Sequence, residues 1–390
     1  MALLREQDRK YTTPEDICAH LGEDYEEYFG AVNPPIYQTS LFGKTERPKD
    51  YVYTRVSNPT TEVAERKIAA LEGADGAICF ASGMGAITAA IMHYIRPACH
   101  VICVATTYPD AKRFCRDYLK ERAGVSCTLV KGESIEEIEK AIRPETTLIY
   151  LESPSTTMLK MQDLEAIANL AKAHNIGTVI DNTYATPLFQ NPLKWGIDIS
   201  IHTVSKYLGG HSDIVGGVIC ARKELLESIQ HNERSMLGSI LGPQESYLLI
   251  RGMRTLPQRM RKHGENGMIV SRYLENHPMV SKVYYPGGDT YQQKELFEKY
   301  MSGTTGLMSL QINGTPQQAQ TFVNSLKVFR EGVSWGGFES LVSGKTIGMP
   351  PERCIEEDVD TNVIRLHVGM ENIDTLLKDL EQALDAASKA

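Results

Sequence analysis

A chain of 390 residues is long enough for a large core and two domains, and 42% hydrophobic against 23% charged residues is the balance of a globular protein. A net charge of −8 argues against a nucleic-acid surface or an anionic membrane as partner. No apolar run reaches the ~18 residues of a membrane span, and the start Met-Ala-Leu-Leu-Arg-Glu-Gln-Asp is no signal peptide. The eight cysteines show neither metal-ligand spacing nor the density of a disulfide scaffold, so the expected protein is cytoplasmic and binds no metal.

Residues 1–50 read as a mixed arm. Thr13-Pro14-Glu15-Asp16 opens a short helix, and Asn33-Pro34-Pro35 and Arg47-Pro48 break up the remainder of the arm. An arm with so little core of its own is expected to lie on another surface, that of a neighbouring subunit. From residue 51 to 249 the pattern alternates between helices and short apolar strands, the signature of a mostly parallel α/β sheet. Helices are expected over 62–71, 86–94, 111–121 and 164–173. Strands are expected over 77–80, 101–104, 148–151, 178–180 and 197–201, with 215–220 closing the series. Residues 225–275 carry no strand signal and read as long helices, one beginning near Gly242-Pro243. A smaller α/β domain is expected over 250–390, with strands at 306–312 and 363–368 and an amphipathic helix over 373–386.

In open parallel sheets ligands sit at the carboxyl ends of the strands, so residues just past each strand are the candidates. Ser82-Gly83-Met84-Gly85 puts backbone N–H groups at a helix N-terminus, which suits a phosphate. Asp181 ends one strand. After the next comes Thr203-Val204-Ser205-Lys206-Tyr207-Leu208-Gly209-Gly210, one lysine among small and hydroxyl residues. Buried there, its amine would lose charge and become nucleophilic; a fall from 10.4 to 7–8 is about 4 kcal/mol of environmental work. The same stretch also reads as a loop lysine after a strand, and Asp181 as a turn cap. Together they are the two groups that pyridoxal phosphate needs, a lysine for its aldehyde and an acid for its ring nitrogen. Tyr108, just past the strand 101–104, could stack on a ring.

The stretches Tyr51-Val-Tyr-Thr-Arg-Val-Ser-Asn-Pro-Thr60, Ala81-Ser-Gly-Met-Gly85, Glu152-Ser-Pro154, Asp181-Asn-Thr-Tyr184 and Thr203 to Asp213 resemble the Cys/Met-metabolism family of pyridoxal-phosphate enzymes. Ser334-Trp-Gly-Gly-Phe-Glu-Ser340 and Ile364-Arg-Leu-His-Val-Gly369 complete the series in the family's order. The resemblance implies the aspartate-aminotransferase-like fold (fold type I of pyridoxal-phosphate enzymes) and a homotetramer, a dimer of dimers. It implies that Lys206 holds the cofactor and moves protons, that Asp181 pairs with the ring nitrogen, and that Gly83, Met84, Thr203 and Ser205 bind the phosphate. Tyr53 and Arg55 resemble the pair that reaches the phosphate from a neighbouring subunit, with Tyr53 also counted among the catalytic residues. Tyr108 would stack on the ring and serve as acid or base at the leaving group. Arg365 would grip the substrate carboxylate, helped by Ser334, with Trp335 beside it.

Within the family, Trp335 after Ser334 and the stretch Glu152-Ser-Pro-Ser-Thr-Thr-Met158 are similar to cystathionine β-lyases, which implies β-elimination from a sulfur amino acid. Val52 and Val333 stand where cystathionine γ-lyases and γ-synthases often carry glutamate, and Asp110 where methionine γ-lyases carry cysteine. Val333 also matches methionine γ-lyases, so a γ-lyase or γ-synthase is the alternative, and a non-catalytic pyridoxal-phosphate-binding regulator the remote one. Asp110 is a candidate carboxylate for a distal ammonium.

Overall fold

A computed structural model describes residues 1–44 and 51–390; Arg47-Pro48 of the expected arm lies outside the described residues. The strands β1 (Ala2–Leu3), β2 (Gly76–Phe80), β3 (His100–Val104), β4 (Ser126–Val130), β5 (Thr146–Glu152), β6 (Gly177–Asp181), β7 (Ile199–His202) and β8 (Gly217–Ala221) form one sheet. Its order is β1-β2-β8-β7-β6-β5-β3-β4. The pairs from β7 through β6, β5 and β3 to β4 are all parallel, which is the expected mostly parallel architecture. β2, β3, β7 and β8 are buried at every position, which is why β2, β8 and most of β3 read as apolar runs, while β7 alternates Ile199 and Ile201 with a buried Ser200 and His202. Each fully buried Ile, Leu or Val there contributes roughly 1.5–3 kcal/mol.

Three strands of this sheet depart from the sequence expectation, the first being β1, which lies in the arm where no strand is expected. The one expected over 215–220 is β8, and it runs antiparallel to both β7 and β2. The link from β7 carries the lysine loop and no helix, so the chain folds back instead of making the crossover that a parallel partner requires. The edge strand β4 is additional to the expected set, because Ser126-Cys127-Thr128-Leu129-Val130 is half-buried and carries no continuous apolar run.

Helix α1 (Pro14–His20) starts where expected, with the Thr13 side chain accepting from the Asp16 N–H. The first residues of the arm dock on their own chain: β1 pairs with β2, and Ile17, Cys18 and Leu21 are buried. Lys67, on α2 (Pro59–Glu72), is buried beneath them and donates to the carbonyls of Ile17 and Cys18. The segment expected to be a single helix over 111–121 runs from Pro109 to Ala123, with a wider turn at Phe114–Tyr118.

Residue 250 lies inside the helix Pro243–Met253; the chain then turns into the helix Leu256–Glu275. That helix packs on a second sheet of β9 (Val280–Tyr284), β10 (Leu307–Ile312), β11 (Arg330–Glu331), β12 (Leu341–Ser343) and β13 (Val363–His367). The C-terminal helix Ile373–Ser388 packs on the helix Leu256–Glu275 and on the helix Pro316–Ser325. β13 lies inside this sheet, between β12 and β10, so a side chain on it is held by strands on both sides. No described helix is long and apolar enough to cross a membrane.

Candidate active site

Three parallel strands, β5, β6 and β7, end in polar residues at one rim of the large sheet: Glu152, Asp181 and His202. They meet α3 (Gly83–Tyr94) and the loop from β7 around a cavity of about 330 Å³. Helix α3 starts because Ser82 caps it, its hydroxyl accepting from the Gly85 N–H at 2.9 Å. The N–H groups of Gly83 and Met84, in the first turn, have no acceptor within the helix, and both residues line the cavity. Position 83 requires glycine, since a Cβ there would sit 2.2 Å from Thr203 Oγ1.

Asp181 is buried, and its Oδ1 accepts from the Thr183 N–H at 3.0 Å and from the Thr183 hydroxyl. Thr183 Oγ1 also accepts from the Thr203 N–H at 2.8 Å, so one hydroxyl ties the ends of β6 and β7 together. Burial pushes the Asp181 carboxyl above the usual range, while Thr183, His202 and Lys206 hold it back. Glu152 is the Cα partner of Asp181 across the sheet and lines the same cavity. Burial first, and then the charge of Asp181, raise its carboxyl well above the ordinary value. Two buried carboxyls side by side share charge at a cost, so a cation at this end of the cavity would be stabilised.

The Lys206 amine donates to Ser334 Oγ at 2.7 Å and lies 5.3 Å from the centre of the Trp335 ring. Burial, and next the Arg365 charge, push it down to about 8, against a smaller opposing pull from Asp181. Gly336, at φ +85°, lets this loop close on the lysine: a Cβ there would come within 3.0 Å of Lys206 Cα. Arg365, on β13, donates to the carbonyls of Val333 at 2.8 Å and Ser334 at 3.4 Å. Among the described residues no carboxylate forms a salt bridge with it, and burial pushes it down to about 10. Its charge is therefore available to an incoming anion. Ser205 accepts from the Gly216 N–H at 3.0 Å and lines the cavity with Thr203.

Tyr108 stands at the cavity mouth, 42% exposed, its N–H bound to Glu152 Oε2 at 2.6 Å. Its hydroxyl donates to Asp110 Oδ2 at 3.3 Å, and Asp110 Oδ1 pairs with Arg113 at 2.9 Å. Asp110 is thus directed at Tyr108 and Arg113. Tyr53 and Arg55 do not line the cavity of their own chain. Tyr53 is exposed, and Arg55 donates to the Ser235 carbonyl at 2.8 Å. Among the lining residues without a role in the sequence expectation are the polar Glu152, Thr156 and Thr183. All three lie inside the quoted stretches, so position in a motif is the signal that could have found them.

These groups fit pyridoxal 5'-phosphate. The cavity offers an amine of lowered basicity, buried acid where a ring cation would sit, and unsatisfied N–H donors for a phosphate. The fold and site thus define a pyridoxal-phosphate-dependent enzyme of the aspartate-aminotransferase-like architecture. The sequence model of the Cys/Met metabolism PLP-dependent enzymes matches residues 15–385. The chain is 40% identical over 376 residues to a cystathionine gamma-lyase of Bacillus subtilis, covering 95% of this chain and 98% of that protein. It is 37% identical over 374 residues to a cystathionine beta-lyase of Lactococcus lactis subsp. cremoris, covering 94% and 97%. The crystal structure of metB from Corynebacterium glutamicum superposes with a TM-score of 0.91 at 34% identity, covering 97% of this chain and 99% of that one. The protein belongs to the Cys/Met metabolism PLP-dependent enzymes, as a lyase or synthase whose cofactor is pyridoxal 5'-phosphate.

Proposed function

We propose that the enzyme is a carbon–sulfur lyase that performs β-elimination on cystathionine or a related sulfur amino acid, releasing pyruvate, ammonia and a thiol. One observation carries this choice within the family. Lys206 is pinned between Ser334 at 2.7 Å and the buried Trp335 ring at 5.3 Å. Trp335 is the residue whose place after Ser334 is similar to cystathionine β-lyases, and it is its ring that flanks the amine. The cofactor, when bound, supplies the electron sink that lets the Cα proton leave. Arg365 holds the substrate carboxylate, and Lys206 takes the Cα proton. Asp181 would keep a proton on the ring nitrogen, and Gly83, Met84, Thr203 and Ser205 would hold the phosphate. Tyr108 would stack on the cofactor ring and hand a proton to the departing sulfur. Ser334 keeps the amine aimed, and Trp335 walls it in.

A γ-lyase is the second reading, supported by the names of several relatives and by an apolar Val333 at the cavity wall. The keto acid formed from cystathionine separates the two. Pyruvate with homocysteine is expected; 2-oxobutyrate with cysteine would transfer the protein to the γ branch.

We also propose that the enzyme is a homotetramer whose sites are completed across subunits by Tyr53 and Arg55, with the part of the arm beyond Leu21 on a neighbour. Support comes from the position of both residues outside their own cavity and from exposed apolar side chains around them. Val52 is 70% exposed, and Met236 and Leu237, beside the carbonyl that holds Arg55, are 73% and 64% exposed. Mixing Lys206→Ala with Arg55→Ala subunits is expected to restore part of the activity that each lacks alone. No rescue despite subunit exchange would place Arg55 in its own subunit's site. A cytoplasmic location is supported by the eight free cysteines.

A further inference from the structure

Arg234 takes no part in the chemistry of the cavity, yet it is one of the most enclosed charges in the molecule, 3% exposed. It ends a wide π-type turn, Gln230–Arg234, a local geometry that recurs near functional sites. Its guanidinium makes no salt bridge among the described residues and is spent on backbone. Nε donates to the Cys79 carbonyl at 3.0 Å, and Nη1 donates to the Arg55 carbonyl at 2.7 Å. Burial pushes this arginine below its ordinary value, which the attraction of Glu65 only partly offsets.

The two carbonyls belong to the two segments assigned to phosphate. Cys79 lies in β2, the strand that runs directly into the Ser82–Gly85 turn, and the guanidinium lies 5.9 Å from the ring of Phe80 at the strand's end. Arg55 is the residue offered to a neighbouring subunit's phosphate. The rest of the turn adds to the same clamp. Gln230 Nε2 donates to the Val56 carbonyl at 3.1 Å, and the Ser235 carbonyl accepts from the Arg55 side chain at 2.8 Å. Beyond Gly238, Ser239 abuts the phosphate turn itself: a Cβ on Gly85 would meet its hydroxyl at 2.4 Å.

We propose that Arg234 is a positioning residue for the cofactor phosphate, locking the Arg55 segment to the strand that ends in the phosphate turn. A single planar fork spans both carbonyls. Lysine, a point donor on a flexible stem, can serve one of them at a time. The inference rests on the proposed phosphate assignment, and its test separates the two.

The test measures binding of pyridoxal phosphate and of pyridoxal, which lacks the phosphate, to cofactor-free wild type and Arg234→Lys, followed by absorbance. Arg234→Lys is expected to weaken pyridoxal phosphate at least about tenfold while leaving pyridoxal within about twofold of wild type. Activity at saturating cofactor is expected to recover. An equal loss for both probes would reduce Arg234 to general structural support, and no loss for either would remove any role; both overturn the proposal. Gln230→Leu, a milder change in the same clamp, is expected to show a smaller loss confined to pyridoxal phosphate. It decides the matter should Arg234→Lys fail to fold, and an unchanged affinity there would then count as refutation. If wild type itself binds the two probes equally, the phosphate assignment fails before the role of Arg234 is reached.

Discussion

Replacing Lys206 with methionine should make the cofactor-free protein more stable near neutral pH. The folded amine titrates at about 8 against an ordinary value of 10.5, chiefly because burial strips its hydration and secondarily because Arg365 repels it. That shift corresponds to about 3 kcal/mol lost from the stability of the folded chain at pH 7. Methionine fills similar volume without a charge, and it forfeits the hydrogen bond to Ser334, worth about 1 kcal/mol, so the net gain is about 2 kcal/mol. Proton counting sets the sign. With the folded value below the unfolded one, the unfolded chain binds more protons between about pH 8 and 10.5, and wild type regains stability as pH rises through that window. Urea unfolding of both cofactor-free proteins should therefore show a gap near pH 7 that has nearly closed near pH 10. A variant no more stable than wild type at pH 7, or a gap indifferent to pH, would refute the claim that the site stores this desolvation.

Two further substitutions probe the other walls of the cavity. Arg365→Ala is expected to raise KM far more than it lowers kcat, costing about 2–5 kcal/mol in kcat/KM because the substrate carboxylate loses its counter-charge. An unchanged KM would deny Arg365 that contact. Asp110→Asn is expected to move the basic limb of the kcat profile to lower pH. Burial first, and then the charge and hydrogen bond of Asp110, hold the Tyr108 phenol above its ordinary value. Without the carboxylate charge the phenol loses its proton earlier as pH rises. A basic limb that stays in place would mean that Tyr108 is not the group titrating there.

Much of this site is legible in the sequence because each key residue comes after an apolar strand. Ile180 into Asp181 and Ile201 towards Lys206 are such junctions, and the parallel register of β6 and β7 brings their ends together. Arg365 is legible only through the family resemblance, because one charge in the apolar strand β13 reads by itself as a surface arginine; in the structure it reaches the cavity from the second sheet. Relations between side chains from distant segments are not legible in this way. Ser334 reads as an aid to carboxylate binding, yet its hydroxyl takes the hydrogen bond of the Lys206 amine. Asp110 has two directions open to it, and only the helical turn from Tyr108 to Arg113 selects one. The reversal of β8 also lies outside any periodicity, because strand direction depends on what the connection holds rather than on the strand's own residues.

Tyr53 and Arg55 mark where a single chain's logic stops. Their motif is as specific as that around Lys206, but neither lines the cavity of its own chain, and the Arg55 side chain is bonded to the Ser235 carbonyl. Under the proposed assembly, residues of a matching motif that stand outside their own cavity would complete a neighbour's site instead. The Arg234 clamp gives this a physical form, since it fixes the backbone of Arg55 to the strand that feeds the chain's own phosphate turn. Through that clamp, the placement of one subunit's cofactor phosphate would bear directly on the arginine offered to the next.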